Sequence, residues 1–161
     1  MVSPARLGHL VLKVRDIAES ERFYTEVLGL TVTSREMGMV FLTSGSNASH
    51  ELALAPAVES RNHVDGRHVG LSHFAWQMRS FGDLRKIQKQ LERKGVNILG
   101  TGDHGISIGV YFADPDGNRV EVFYEMPRRQ WPKEHLFSGK FPTKLTDDQQ
   151  GNKECKKGGA K

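Results

Sequence analysis

Hydrophobic and polar residues follow a definite order of patterns along the first third of the chain. An apolar run at residues 8–14 is followed by apolar residues at helical spacing, which begin after Asp16 and end at Gly29. Asp16 can cap such a helix, and a glycine commonly ends one. Two strand-like segments follow at Met39–Thr43 and at 50–55, separated by a turn rich in serine and glycine. We interpret this order as a β-α-β-β-β unit, of which these segments are the helix and three of the four strands.

The same order returns in the second half of the chain. An apolar run at residues 71–78 is followed by a helix signal that starts at Ser80 and ends at Gly95. Strand-like segments then span residues 106–113 and 118–124, on either side of an Asp-Pro-Asp-Gly turn. Two units with one pattern predict an internal duplication.

Superposing the two copies aligns His9 with His73, and superposing their turns aligns Glu51 with Glu121. Side chains of a strand alternate between its faces, so the bulky apolar residues should pack under the helices. His9, His73 and Glu121 then fall on the opposite, concave side. Two imidazoles and one carboxylate leave open positions on a divalent metal such as Fe(II). Singly, each residue is more often a partly buried or ion-paired side chain, so the metal prediction depends on all three together.

The composition excludes several classes of function. The chain has 161 residues, enough for one domain with a sizeable core, and 37% of them are hydrophobic. No apolar run is long enough to span a membrane. Most of the net charge of +4 lies in the lysines of residues 153–161, and no basic stripe with aromatic residues indicates nucleic acid. The single cysteine, Cys155, excludes an internal disulfide and predicts a cytoplasmic protein.

Three stretches of the chain resemble one known superfamily. They are residues 8–16 (GHLVLKVRD), 23–30 (FYTEVLGL) and 111–121 (YFADPDGNRVE). Over about residues 7–125 the chain resembles the vicinal oxygen chelate superfamily, which includes glyoxalase I, fosfomycin and bleomycin resistance proteins, and type I extradiol dioxygenases. These stretches are specific for the superfamily and say little about the reaction.

The resemblance implies an α+β fold of two tandem β-α-β-β-β modules that form a U-shaped mixed sheet around a metal site. The vicinal oxygen chelate domain would span residues 1–126, with modules at about 7–56 and 71–125. A surface extension would follow at 127–145, and a disordered tail rich in lysine and glycine at 146–161.

Within the superfamily, the chain is most similar to small, single-domain extradiol dioxygenases. The implied metal ligands are His9, His73 and Glu121, with Fe(II) as the expected ion and Mn(II), Ni(II) or Zn(II) as alternatives. Residues 49–55 (SHELALA) resemble the segment that carries the acid/base histidine of these enzymes. In this chain that histidine would be His50.

Two further residues match positions near the substrate in those enzymes. Tyr111 stands where a tyrosine hydrogen-bonds the substrate or the bound oxygen, and residues 103–105 (DHG) resemble a loop with a second active-site histidine, His104. The implied reaction is cleavage of a catechol-type aromatic diol by O2, as in aromatic catabolism. The diol and O2 would occupy the positions that the protein ligands leave open, and His50 would accept a proton from the diol.

Glu51 keeps a second reaction open. Glyoxalase I enzymes have a carboxylate at the aligned position as a fourth ligand. Strict alternation along residues 50–55 would turn Glu51 toward the metal and His50 away, unless a bulge at the start of the strand reverses them. The alternatives are a glyoxalase I-type isomerase or lyase acting on a thiol–aldehyde adduct, and a non-catalytic ligand-binding or resistance protein. In each case we expect a homodimer, because members of the superfamily commonly pair chains.

Overall fold

Two successive modules with the order β-α-β-β-β make up the fold, which confirms the predicted α+β class. The computed structural model describes residues 2–58, 69–131, 133, 137, 139 and 143–145. The first module consists of β1 (Leu10–Val14), α1 (Ile17–Leu28), β2 (Thr31–Glu36), β3 (Met39–Thr43) and β4 (Leu52–Pro56). The second consists of β5 (Phe74–Gln77), α2 (Phe81–Arg93), β6 (Ile98–Asp103), β7 (Ser107–Ala113) and β8 (Arg119–Glu125). A short 3₁₀ turn follows at Arg128–Gln130.

Each module has its own four-stranded mixed sheet, and the two sheets share one topology. The strand order is β1-β4-β3-β2 in the first and β5-β8-β7-β6 in the second, with the first and last strands of each module parallel. The register between the second and third strands of each module shifts at equivalent places. These shifts lie between Val32 and Ser34 and between Ile98 and Gly100. The same irregularity in both sheets supports the predicted duplication.

Both helices begin at the residues that the sequence pattern predicts. Asp16 caps α1 and Ser80 caps α2, and each side chain accepts a hydrogen bond from the backbone N–H three residues later, at 2.9 and 3.1 Å. Gly29 ends α1 with a φ of 72°, in the left-handed region that glycine adopts without strain. Local sequence therefore determines where the two helices start and where α1 stops.

Alternation along the strands separates a buried face from an open one. In β1, Leu12 and Val14 are buried while Val11 is exposed, and in β8 Val120 and Val122 are fully buried. The helices cover these buried faces, since α1 contacts β4 and α2 contacts β8. Val11 of β1 and Glu121 of β8 lie on the opposite faces of their strands.

The turn between β7 and β8 packs with the first module. The chain divides into two compact units: the first contains the described residues up to Gly70 together with Asp114–Asn118, and the second contains the rest. Tyr24 of α1 donates a hydrogen bond from its hydroxyl to Asp114 at 2.7 Å, and both residues are almost fully buried. Asn118 donates to the same carboxylate from its backbone N–H and its side-chain amide, at 2.7 and 2.9 Å.

Tyr24→Phe is expected to lower the free energy of unfolding by about 1–3 kcal/mol, because the buried carboxylate of Asp114 loses a donor. Burial, together with the charge of Asp114, raises the pKa of Tyr24 well above its usual value. The stabilisation is therefore full below the unfolded-state pKa of about 10 and is lost as the pH rises from there through the folded-state pKa. Urea unfolding should show a constant cost at about pH 7–9 and a smaller one above about pH 10.

Tyr124→Phe is the matched control for this substitution. Tyr124 is partly exposed and its ring contacts Phe81 edge-on. Loss of its hydroxyl should change the free energy of unfolding by less than about 0.5 kcal/mol. Equal losses in the two variants would show that the Asp114 hydrogen bond does not stabilise the fold.

The described part of the C-terminal extension contacts the second module. Thr143 donates a hydrogen bond from its backbone N–H to the carbonyl oxygen of Thr101 in β6, at 2.8 Å. Gly139 lies so close to the backbone of Asp103 that a side chain on Gly139 would overlap the carbonyl oxygen. This segment therefore lies beside the loop that follows β6.

Some predictions concern residues that the structure does not describe. The predicted tail at 146–161 and Cys155 lie outside the described residues. The domain boundaries and the cytoplasmic location stay predictions. No helix in the described ranges is long and apolar enough to cross a membrane.

Candidate functional site

In the first unit, three aromatic side chains gather where β1 and β4 begin. The imidazole rings of His9 and His50 have their centroids 4.7 Å apart. Phe41 of β3 meets the ring of His50 edge-on at 5.1 Å, and the hydroxyl of Ser49 lies 3.0 Å from Nδ1 of His50. The structure thus brings together the candidate metal ligand His9 and the candidate acid/base residue His50.

Glu51, the candidate fourth ligand, is directed to the preceding turn instead. Its carboxylate accepts hydrogen bonds from the backbone N–H of Ser44, at 3.0 Å, and from the hydroxyl of Ser46. Burial alone would raise the pKa of Glu51, but these hydrogen bonds hold it below its usual value. The regular strand starts only at Leu52, so strict alternation does not extend to His50 and Glu51. His50, rather than Glu51, lies beside His9.

The pairing of the strands also corrects the alignment of the two modules. Phe41 pairs with Ala53 in the first sheet, and Tyr111 pairs with Glu121 in the second. The pairing of β1 with β4 and of β5 with β8 likewise makes Ala53 correspond to Glu121. Ala53 is therefore the equivalent of Glu121, and the alignment of Glu51 with Glu121 was wrong, because the segment joining β3 and β4 is the longer one. The first module has no carboxylate at this position.

In the second unit, a histidine and a carboxylate from neighbouring strands meet. His73 precedes β5, and its Nε2 lies 3.2 Å from Oε2 of Glu121 in β8. Two adjacent ligands with bonds of about 2.1 Å to one ion lie about 3 Å apart, so this pair fits a divalent metal. Glu121 is only 7% exposed, and a carboxylate so buried is rare unless it is paired or bound to a cation.

A tyrosine and a second histidine adjoin this pair within the second unit. The ring of Tyr111 meets the ring of His73 edge-on at 5.4 Å, and its hydroxyl lies 2.8 Å from Nε2 of His104. Burial, and then the charge and hydrogen bond of Glu121, raise the pKa of Tyr111. The Tyr111 hydroxyl therefore stays protonated at neutral pH and is able to donate a hydrogen bond.

The predicted site residues are divided between the two units. The first unit holds His9 and His50, and the second holds His73, His104, Tyr111 and Glu121. Among the described residues, no group of three or more His, Cys, Asp or Glu is arranged so that it could hold a metal ion. The three-residue ligand set and the catalytic roles therefore stay predictions.

Two residues of this arrangement were not identified from the sequence. One is Phe41, which contacts His50 and which strand pairing makes the equivalent of Tyr111. The other is Gly109 of β7, where an added Cβ would lie 2.1 Å from Oε1 of Glu121. A glycine inside a strand pattern often marks a close approach by another group, and that was the available signal.

Comparison with known protein families gives a match that spans most of the chain. The family model described as the Glyoxalase/Bleomycin resistance protein/Dioxygenase superfamily matches residues 6–122. The match covers the first module and the second as far as the middle of β8, and it includes the three candidate metal ligands.

Three similar proteins illustrate the range of reactions among the relatives. The chain is 31% identical over 122 residues to biphenyl-2,3-diol 1,2-dioxygenase 3 of Rhodococcus globerulus, covering 76% of this chain and 64% of that protein. It is 32% identical over 118 residues to glutathione transferase FosA of Serratia marcescens, covering 72% and 78%. The solved structure of lactoylglutathione lyase from Agrobacterium tumefaciens is 25% identical with a TM-score of 0.59, covering 75% and 94%. The chain thus spans less than two thirds of the dioxygenase.

Proposed function

The chain belongs to the glyoxalase/bleomycin resistance protein/dioxygenase superfamily, and we propose that it is a metal-dependent extradiol dioxygenase. Its substrate would be a catechol-type aromatic diol, cleaved with O2. The observation that carries this proposal is the environment of Glu51, whose carboxylate is held on the turn at Ser44 and Ser46. With Ala53 as the equivalent of Glu121, the chain offers two imidazoles and one carboxylate rather than two of each.

His9, His73 and Glu121 would hold the metal in this proposal. The fit of His73 and Glu121 supports it, because their ligating atoms have the spacing of adjacent ligands. Fe(II), when bound, would supply a Lewis acid for the diol and a centre that activates O2. Mn(II), Ni(II) and Zn(II) are the alternatives to Fe(II).

The other residues would move protons and orient the substrate. His50 would accept a proton from one diol hydroxyl and later return it to assist the cleavage of the ring. Tyr111 would donate a hydrogen bond from its protonated hydroxyl, with His104 fixing the position of that hydroxyl at 2.8 Å. The reaction breaks the bond between one hydroxyl-bearing carbon and its neighbour outside the diol, and both atoms of O2 enter the product.

Oxygen uptake by metal-loaded protein tests the reaction class. Protein loaded anaerobically with Fe(II) should consume O2 with biphenyl-2,3-diol and form a yellow ring-opened product, because the ligand set leaves room for both reactants. Metal-free protein is the control. Ni(II)-loaded protein should leave methylglyoxal plus glutathione unchanged. Conversion of that adduct without ring cleavage would replace the dioxygenase by a glyoxalase-type enzyme.

A second candidate is a glyoxalase I-type enzyme that acts on a thiol–aldehyde adduct, or a non-catalytic ligand-binding or resistance protein. The similarity to FosA favours it, since this chain covers 78% of that protein, more than it covers of the dioxygenase. A bound metal with no turnover in either assay would favour a binding or resistance protein. The homodimer, the cytoplasmic location and a role in aromatic catabolism belong to the main proposal.

A further inference from the structure

We propose that Gly109 is a positioning residue for the metal site, because its missing side chain leaves the space that the Glu121 carboxylate occupies. This inference rests on the proposed function only in so far as Glu121 is a metal ligand. It concerns how the chain aims that carboxylate rather than which residues bind the ion.

The strand ladder puts Gly109 and Glu121 on the same face of the second sheet. Gly109 of β7 pairs with Phe123, and Tyr111 pairs with Glu121. Directly paired residues of antiparallel strands share a face, and so do residues two apart along one strand. The side chain of Glu121 therefore extends diagonally across β7, over the position of Gly109.

The approach of Glu121 to Gly109 is closer than any side chain at residue 109 would permit. A Cβ added at Gly109 would lie 2.1 Å from Oε1, 2.9 Å from Cδ and 3.1 Å from Cγ of Glu121. These are the three nearest atoms, so the space at Gly109 is limited by Glu121 rather than by the backbone of a neighbouring strand. Gly109 is itself buried. The carboxylate fills the place of the missing methyl group.

Backbone conformation gives no other reason for a glycine at this position. The glycines of the described chain with positive φ include Gly100 and Gly105, but not Gly109. Any residue can adopt the extended conformation of β7, and glycine inside a strand weakens the strand. The close approach of the carboxylate is therefore the physical reason for glycine at residue 109.

A methyl group at residue 109 would displace the carboxylate without breaking the sheet. Oε1 stands at the end of a flexible side chain, so rotation of Glu121 relieves the overlap while β7 and β8 stay paired. The rotated carboxylate would leave Nε2 of His73, from which it is now 3.2 Å away. The fold would persist, and the spacing that suits a metal would be lost.

Gly109→Ala is expected to weaken Co(II) binding to the metal-free protein by about 10–100-fold or more, the range seen when partners that orient metal ligands are removed. Calorimetric titration with Co(II) measures the affinity, and a crystal structure of the metal-free variant measures the distance from His73 Nε2 to the Glu121 carboxylate. Gly82→Ala is the matched control, because a Cβ at Gly82 would meet only Ser80 Oγ at an ordinary 3.6 Å.

A double-mutant cycle keeps the inference testable if Gly109→Ala destabilises the protein. Glu121→Ala removes the clashing atoms, so adding Gly109→Ala to that variant should be neutral or stabilising in urea unfolding. Equal destabilisation by Gly109→Ala in both backgrounds would overturn the inference.

Glu121→Gln separates this inference from the proposed function. If Glu121→Gln abolishes Co(II) binding and Gly109→Ala binds as tightly as the wild type, the role of Gly109 is refuted and the ligand set survives. If Glu121→Gln binds Co(II) like the wild type, the ligand set of the proposed function fails instead.

Discussion

Bound Fe(II) is expected to fall from one ion per chain to a small fraction of that in each of His9→Ala, His73→Ala and Glu121→Gln. His73 Nε2 and Glu121 Oε2 already stand 3.2 Å apart, so the loss of either removes half of a formed pair. Partners that only orient ligands contribute about 10–100-fold to metal affinity, and a direct ligand should contribute more. Elemental analysis of protein reconstituted with Fe(II) measures the stoichiometry.

One residue of β5 and one of β8 provide matched controls for this experiment. Gln77 is an exposed residue of β5, and Glu125 is a partly exposed residue of β8. Gln77→Ala and Glu125→Ala should keep the full stoichiometry, because Gln77 pairs with Phe123 and Glu125 pairs with Ser107, away from Glu121. A triple variant of the three candidate ligands that still binds one ion per chain would rule out the site.

His50→Gln is expected to lower kcat for ring cleavage by about 10²–10⁴-fold while Fe(II) stays bound, the usual contribution of a general acid/base group. The ring of His50 lies 4.7 Å from the ring of His9, and glutamine keeps the polarity of the position but cannot exchange a proton near neutral pH. Stopped-flow turnover together with metal analysis separates a loss of catalysis from a loss of the ion.

Glu51→Gln is the neighbouring control, and it separates the two enzyme classes. Its carboxylate is bound by Ser44 and Ser46 on the turn, so the substitution should leave Fe(II) binding and turnover nearly unchanged. The opposite pattern, with Glu51→Gln free of metal and His50→Gln fully active, would replace the dioxygenase by a glyoxalase-type enzyme.

The helices and most strands were predictable because their signals are local. Asp16 and Ser80 cap helices through hydrogen bonds three residues away, and Gly29 ends α1 through its own backbone freedom. Alternation in β1 likewise predicted that Leu12 and Val14 are buried and that Val11 is not. The repetition of these local signals was enough to predict two β-α-β-β-β modules.

The details of the candidate site depend on the tertiary structure and could not be predicted from local sequence. Where β4 begins depends on hydrogen bonds between Glu51 and the turn, and a period-two pattern predicts faces only inside a regular strand. The equivalence of Ala53 and Glu121 depends on strand register, which follows from pairing between distant segments. The space beside Gly109 is filled only when β7 and β8 are paired, because the carboxylate that occupies it belongs to Glu121 on the neighbouring strand.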